Sequence, residues 1–354
     1  MTFTMAVDSG SALLKEDFAF CERILPEVSR TFAIGIQLLP EPLSRSVTVA
    51  YLLCRIADTV EDSVDLLPEE KGYLLALFVR CAEDRFDDCI ELRNRFASHR
   101  SDEELLVFRA DAVLRVFRSL SSPEREAIRG PLREMCEGMA AFALVREGAK
   151  QRGVPPISTF EELERYCYHV AGTVGRLLTD LFLLHVGDAA SRNAAALVED
   201  SRGFGRGLQL TNIVRDLGDD LSRDVSYVPQ ELSLRFGLGP GQLLSAEHRP
   251  QALRVIDTLI VAALGGLDAG TRYCVRLPRR QVRIRLFCVL PLFLAYRTLG
   301  LIRRQMQSST PFARVKVPRR EVYALLALGT IVAPSNRLIV LVVHALTPKT
   351  RSPD

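Results

Sequence analysis

The chain has 354 residues, 48% of them hydrophobic and 25% charged, with a formal net charge of +3. That length and apolar content can bury a sizeable core without disulfides or a structural metal, and they exclude a wholly disordered chain. The net charge alone is too small to argue for a nucleic-acid partner. Eight cysteines, at 21, 54, 81, 89, 136, 167, 274 and 288, form no C-x-x-C pair and sit mostly in apolar stretches. They read as reduced, buried thiols in a reducing cytoplasmic compartment, with no zinc site expected. The opening MTFTMAVDSGSALLKEDF lacks a basic region followed by an apolar core, so no secretory signal is expected.

Apolar residues recur at helical spacing in Val47–Ala57, Glu104–Leu120, Glu124–Ala143, Phe160–Leu184, Ala194–Leu217, Pro250–Val275 and Val282–Gln307, and no alternating strand pattern with hairpin turns accompanies them. Helix-start signals stand at Ser101-Asp102-Glu103-Glu104, Ser122-Pro123-Glu124 and Ser158-Thr159-Phe160-Glu161-Glu162. The expectation is one all-α domain over residues 15–346, with short mobile ends at 1–14 and 347–354. Near the C-terminus, Val322–Ala333 and Leu338–Leu346 are hydrophobic, separated by Pro334-Ser335-Asn336-Arg337. Neither half reaches the roughly 20 apolar residues of a spanning helix. Two packed helices, or one broken helix, is the main reading, and a membrane-touching segment is the other.

Two acidic motifs interrupt apolar helical runs. Asp58-Thr59-Val60-Glu61-Asp62 follows Tyr51–Ala57, and Asp216-Leu217-Gly218-Asp219-Asp220 follows Gln209–Arg215. Residues i and i+4 share a helix face, so Asp58 aligns with Asp62, and Asn212 with Asp216 and Asp220, with Gln209 one turn earlier. Like charges so placed destabilise a helix by about 0.2–0.5 kcal/mol and pay desolvation beside a core-like sequence. A divalent cation relieves both costs. Hard carboxylate oxygens suit Mg2+, which binds through one or two carboxylates together with substrate phosphates. Two such helices could clamp a diphosphate and assist its departure. One motif alone would read as a solvated face; two, one of them preceded by Q-x-x-N, point to metal and diphosphate.

Arginine fits the same chemistry, because a guanidinium matches diphosphate oxygens with fork geometry. Arg55 lies one turn before Asp58, and Arg30 sits in Val28-Ser29-Arg30-Thr31-Phe32; each reads either as a diphosphate ligand or as a surface or acid-paired residue. Arg215 abuts Asp216 but belongs to another helix face. In Tyr166-Cys167-Tyr168-His169-Val170-Ala171-Gly172-Thr173-Val174-Gly175, two glycines inside a helical run mark a kink or a close approach of backbone to a ligand. From the residues alone, Tyr166 and His169 are packed polar residues or catalytic ones.

The segments VSRTF, YLLCRIADTVED, YCYHVAGTVG and LQLTNIVRDLGDD resemble, in order and spacing, the squalene and phytoene synthase family, with similarity from about Glu22 to Arg320. The resemblance implies an all-α class I isoprenoid synthase fold with a central apolar cavity. It implies head-to-head condensation of two prenyl diphosphates through a cyclopropyl intermediate. Carried across, Asp58, Asp62, Asn212, Asp216 and Asp220 fall on metal positions, and Arg30, Arg55, Gln209 and Tyr227 on diphosphate-contact positions. Tyr166 falls near the reacting carbons, where it would help in proton removal or in steering the cation.

Within the family, FCVLPLFLAYRTL (287–299) and VKVPRREV (315–322) resemble the branch that reduces the intermediate with NADPH, and they place Lys316 and Arg319 near the nucleotide. That branch joins two farnesyl diphosphates and makes squalene, a precursor in sterol or hopanoid biosynthesis. The alternatives are a phytoene or dehydrosqualene synthase without the reduction, and a non-catalytic assembly subunit of a membrane isoprenoid pathway. NADPH use rests on resemblance, since no Rossmann glycine fingerprint is present. Residues 271–320 hold twelve Arg and one Lys without an acid. They are read as pairing with acidic motifs elsewhere, docking NADPH phosphates, holding the protein against anionic lipid, or forming a solvated face. The expected partners are prenyl diphosphate substrates and a peripheral contact with the inner face of the membrane, not nucleic acid, with the oligomeric state open. The chain is read as ending too soon for the separate C-terminal anchor of eukaryotic relatives.

Overall fold

A computed structural model describes residues 2–83, 89–187, 193–223, 225–308 and 312–348, with side chains described from residue 11 except at 30 and 31. Its described residues are mostly helical and contain no strand. The contacts gather into two compact units, residues 1–144 with 177–187, and residues 145–176 with 188–354.

In the first unit, α1 (Thr2–Val28) precedes α2 (Arg30–Gln37) and α3 (Leu43–Asp62). Helical backbone therefore extends into the 1–14 stretch read as a mobile end. Next come α4 (Pro68–Ala82), α5 (Ile90–Arg95), α6 (Asp102–Phe108), α7 (Ala110–Arg118) and α8 (Ser122–Arg152). Helix α3 is central to the core. Its Val49, Leu52, Leu53, Ile56 and Val60 are fully buried, as are Val113, Val116 and Phe117 of α7. Removing one of these Leu or Ile side chains to Ala costs about 2–5 kcal/mol. Buried Asp17 is clasped by Arg115 through two bonds, of 2.6 and 2.9 Å, which meets the rule that a buried charge needs a partner.

The run Glu104–Leu120 is two helices rather than one. The backbone leaves helical geometry at Arg109 (φ −100°, ψ 23°), whose guanidinium lies over the Phe20 ring at 4.8 Å. The cap at Ser101 forms as its sequence implies, accepting from the Glu104 N–H. For α8 the capping residue is Ser121 and not Ser122, since Glu124 reaches back to the Ser121 N–H.

In the second unit, α9 (Phe160–Cys167) starts in a capping box of Thr159 and Glu162. It passes into a π-helical turn, Tyr168–Gly172, and then into α10 (Thr173–Val186), whose later residues belong to the first unit. Then follow α11 (Ala194–Leu221), α12 (Gln230–Arg235), α13 (Arg249–Arg276), α14 (Val282–Gln305), α15 (Arg319–Val332) and α16 (Asn336–Leu346).

Helices α11 and α13 approach unusually closely, because small residues line their contact. A Cβ on Gly207 would stand 2.6 Å from the Gly266 carbonyl carbon, and one on Gly270 would stand 2.4 Å from the Phe204 ring. This is small-x-x-x-small packing, Gly203/Gly207 against Gly266/Gly270. On another side of α11, a Cβ on Gly205 would meet the Ala171 carbonyl oxygen at 2.4 Å. The helix that carries the second acidic motif is thus gripped by backbone on two sides.

The C-terminal apolar stretch forms two helices, with Ser335 capping the second at Leu338. Arg285, fully buried, donates to the carbonyls of Leu277 and Ala333 (2.6 Å each) and to Asn336 Oδ1 (2.7 Å), pinning the break between them. Helix α14 is long and apolar enough to cross a membrane, yet 72% of its most apolar window is buried in protein, as a core helix would be.

Candidate active site

The first acidic motif ends α3. Asp58 is half-buried and Asp62, the last helical residue, is exposed. The Asp58 carboxyl is packed among protein atoms while 34% of its side-chain surface stays open. Desolvation pushes it up to about 7, against the pull of Arg55 and with a push from Asp62. Arg55 stands 4.0 Å from Asp58 and donates to Glu103 at 3.2 Å. Burial works against its charge, but Asp58, Tyr51 and Glu103 outweigh that and hold it more firmly protonated than usual. Arg55 is thus an acid-paired residue and at the same time a cation one turn from the motif. The side chain of Arg30 lies outside the described residues; its backbone opens α2.

The second motif lies on α11. Gln209, Asn212, Asp216 and Asp220 are all partly buried on this helix. Asp216 is held by two arginines: Arg215 reaches both carboxylate oxygens, through Nε at 3.0 Å and Nη2 at 2.5 Å, and Arg314 Nε lies 2.9 Å from Oδ1. Arg314 also lies 3.5 Å from Asp219, and Arg223 pairs with Asp220 at 2.9 Å. Burial raises the Asp220 carboxyl, opposed by Arg223 and reinforced by Asp216. The chain after α14 folds down on the motif, where a Cβ on Gly218 would meet the Phe312 carbonyl oxygen at 2.2 Å.

Sequence reasoning set Arg215 aside and did not single out Arg314. The signal for Arg314 was the basic stretch 271–320, one of whose readings was pairing with acidic motifs. Arg314 does so, and Arg272 and Arg276 bind Asp200. Lys316 and Arg319 are exposed beyond Arg314, at the start of α15.

Tyr166 and Tyr227 are stacked with ring centroids 5.0 Å apart. Tyr166 stands one residue before the Cys167 that leads into the π turn, and such turns are frequent at functional sites. In Tyr168–Gly175 the two glycines serve close approach: a Cβ on Gly175 would lie 2.5 Å from the Ser201 carbonyl oxygen, and one on Gly172 would lie 2.8 Å from the Tyr168 ring. No group of three or more His, Cys, Asp or Glu is gathered within metal-binding reach among the described residues. Each acidic motif, taken in its own unit, offers carboxylate pairs.

This architecture is that of the all-α isoprenoid synthases. The solved complex of TcSQS with the ligand BPH1237 matches it with a TM-score of 0.78 and 25% identity, covering 96% of this chain and 94% of that one. The family profile for squalene/phytoene synthase matches residues 25–321, and the chain belongs to that family. The squalene synthase of Schizosaccharomyces pombe is 30% identical over 80% of this chain and 59% of its own length. That of Eremothecium gossypii is 30% identical over 83% and 63%. The chain therefore spans about three-fifths of the length of these relatives.

Proposed function

We propose that the protein is a Mg2+-dependent farnesyl-diphosphate farnesyltransferase of the squalene synthase type. Two farnesyl diphosphates would join head to head as presqualene diphosphate, which is then reduced to squalene with NADPH. The observation that carries this reading is the pair of helices α3 and α11, each bearing carboxylates at i and i+4, in a chain whose curated relatives are squalene synthases.

The donor set fits a hard divalent cation. Asp58 is a half-buried carboxylate pushed up to about 7, with its nearest guanidinium 4.0 Å away, so a cation stabilises its charged form. When bound, Mg2+ neutralises the departing diphosphate, and NADPH supplies the hydride of the second half-reaction. Asp58 and Asp62 hold metal from α3, and Asn212, Asp216 and Asp220 from α11. Arg55, kept charged by Asp58 and Glu103, Gln209, Tyr227 and Arg30 contact the diphosphate. Tyr166, ordered by its stack on Tyr227, helps remove the proton lost when the cyclopropane closes or steers the cation. Lys316 and Arg319 offer cations to the nucleotide phosphates. Asp216 reaches metal only after its arginines yield it.

The test is product analysis by mass spectrometry after incubation with farnesyl diphosphate and Mg2+, with and without NADPH. Squalene formed only with NADPH is the expected result. Dehydrosqualene in both reactions, or a strict need for geranylgeranyl diphosphate, assigns the protein to the non-reducing branch instead. Failure to release diphosphate from any prenyl substrate favours a non-catalytic subunit.

A further inference from the structure

Residues 269–353 contain one acid, Glu321, and Arg297 holds its carboxylate at 2.7 Å. Exposed arginines follow through this region: Arg279, Arg280 and Arg283 before and at the start of α14, Arg319 and Arg320 at the start of α15, and Arg337 on α16. The same region exposes apolar side chains that a core would have taken. Ile331 is 70% exposed, Leu341 64% and Tyr323 61%, with Leu338 and Val340 beside them.

Helical geometry gathers these residues. On α16, Ile339 and Val343 are buried, while Arg337, Leu338, Val340, Leu341 and His344 occupy the opposite arc. On α15, Leu325, Gly329 and Val332 are buried, and Arg320, Tyr323, Ala327 and Ile331 face out. Both helices lay their buried sides on α14, so both outer faces turn away from it. Arg285 ties the turn between them to Leu277, while Asn336 donates to the Val275 carbonyl. The turn between α15 and α16 is thus held against the C-terminal end of α13, a few residues before Arg279 and Arg280.

We infer that the outer face of α15 and α16, rimmed by Arg279, Arg280, Arg320 and Arg337, docks on the surface of an anionic lipid bilayer. Apolar side chains enter the headgroup boundary and arginines meet lipid phosphates; both are required for stable peripheral binding. The charge argues against the rival occupants. A second copy of this chain would set arginine against arginine across a two-fold axis. A nucleic acid would leave Ile331 and Leu341 without a counterpart. Helices of 14 and 11 residues are too short to span. The inference stands on surface chemistry and not on the proposed activity.

The test is flotation of the full chain with vesicles of phosphatidylcholine alone or with about 30 mol% phosphatidylglycerol. Binding is expected only to the anionic vesicles, and about 0.5 M NaCl should weaken it severalfold. Ile331→Asp with Leu341→Asp should lower the bound fraction about tenfold while circular dichroism stays unchanged. Because the chain has no Trp, Leu341→Trp gives a single indole emission that should shift to the blue and be quenched by brominated lipid. Val64→Trp, at a site 95% exposed in the first unit, should do neither. The inference is overturned by wild-type protein that stays with neither vesicle, or by a double variant that binds like wild type. A Leu341→Trp emission that neither shifts nor is quenched overturns it too, as does light scattering that finds a dimer which the double variant breaks. Should the double variant fail to fold, the Leu341→Trp emission decides alone.

Discussion

Asp58 and Asp216 carry the same chemistry in opposite states. Asp58 is desolvated with one guanidinium, Arg55, no nearer than 4.0 Å, whereas Asp216 is bound at hydrogen-bond distance by two arginines. Between about pH 4 and 7, a carboxyl raised from 3.8 to about 7 on folding holds its proton in the native state where the unfolded chain has released it. Stability from this group is therefore fully present below about pH 4 and is lost as pH rises to about 7. With a third of the side chain open, the loss is about 1–2 kcal/mol after screening. Asp58→Asn is expected to melt higher than wild type at pH 8 without Mg2+ and alike at pH 4, and scanning calorimetry reads this directly. The same substitution, or Asp216→Asn, should lower turnover roughly a hundredfold or more, with the circular dichroism unchanged. Arg314→Gln releases Asp216 and Asp219 from one of their cations and should tighten Mg2+ binding about two- to fivefold by titration calorimetry. Tyr166→Phe should lower kcat for condensation more than it changes KM; an unchanged rate returns Tyr166 to packing.

The helix pair α11 and α13 makes a sharper claim, because adjacent glycines should respond with opposite signs. Gly266 abuts Gly207, whose Cα would lie 2.5 Å from a new Cβ, while a Cβ on Gly265 meets nothing within 4 Å. Gly266→Ala should cost about 1–3 kcal/mol by forcing the helices apart. Gly265→Ala should stabilise by about 0.5–1 kcal/mol through helix propensity. Denaturant midpoints of the two variants, moving in opposite directions, check both. The periodic runs that became α3, α8, α11, α13 and α14 were readable because long amphipathic helices repeat their pattern many times. Helix α1 was missed although Phe20, Cys21, Ile24, Leu25 and Val28, all buried, follow the same rhythm. Short helices such as α2 and α5 hold too few turns for a period to show. The glycines of Tyr166–Gly175 signalled an irregularity that the structure realises as the π turn at Tyr168–Gly172, whereas the break at Arg109, whose guanidinium lies over Phe20, has no sign in the local pattern.

All eight cysteines are buried thiols, and burial pushes those of Cys21, Cys167 and Cys274 up to about 12. A thiol reagent should therefore label about one equivalent or less in the native protein and all eight after unfolding in guanidinium. Family, helical class and the carboxylate pairs on α3 and α11 were already present in the linear chain, because spacing along one helix fixes which residues share a face. The stack of Tyr166 on Tyr227, the capture of Asp216 by Arg314, and the tie that Arg285 makes between Leu277, Ala333 and Asn336 were not. Each joins residues tens of positions apart, and distance along a chain says nothing of distance through space until the helices have packed.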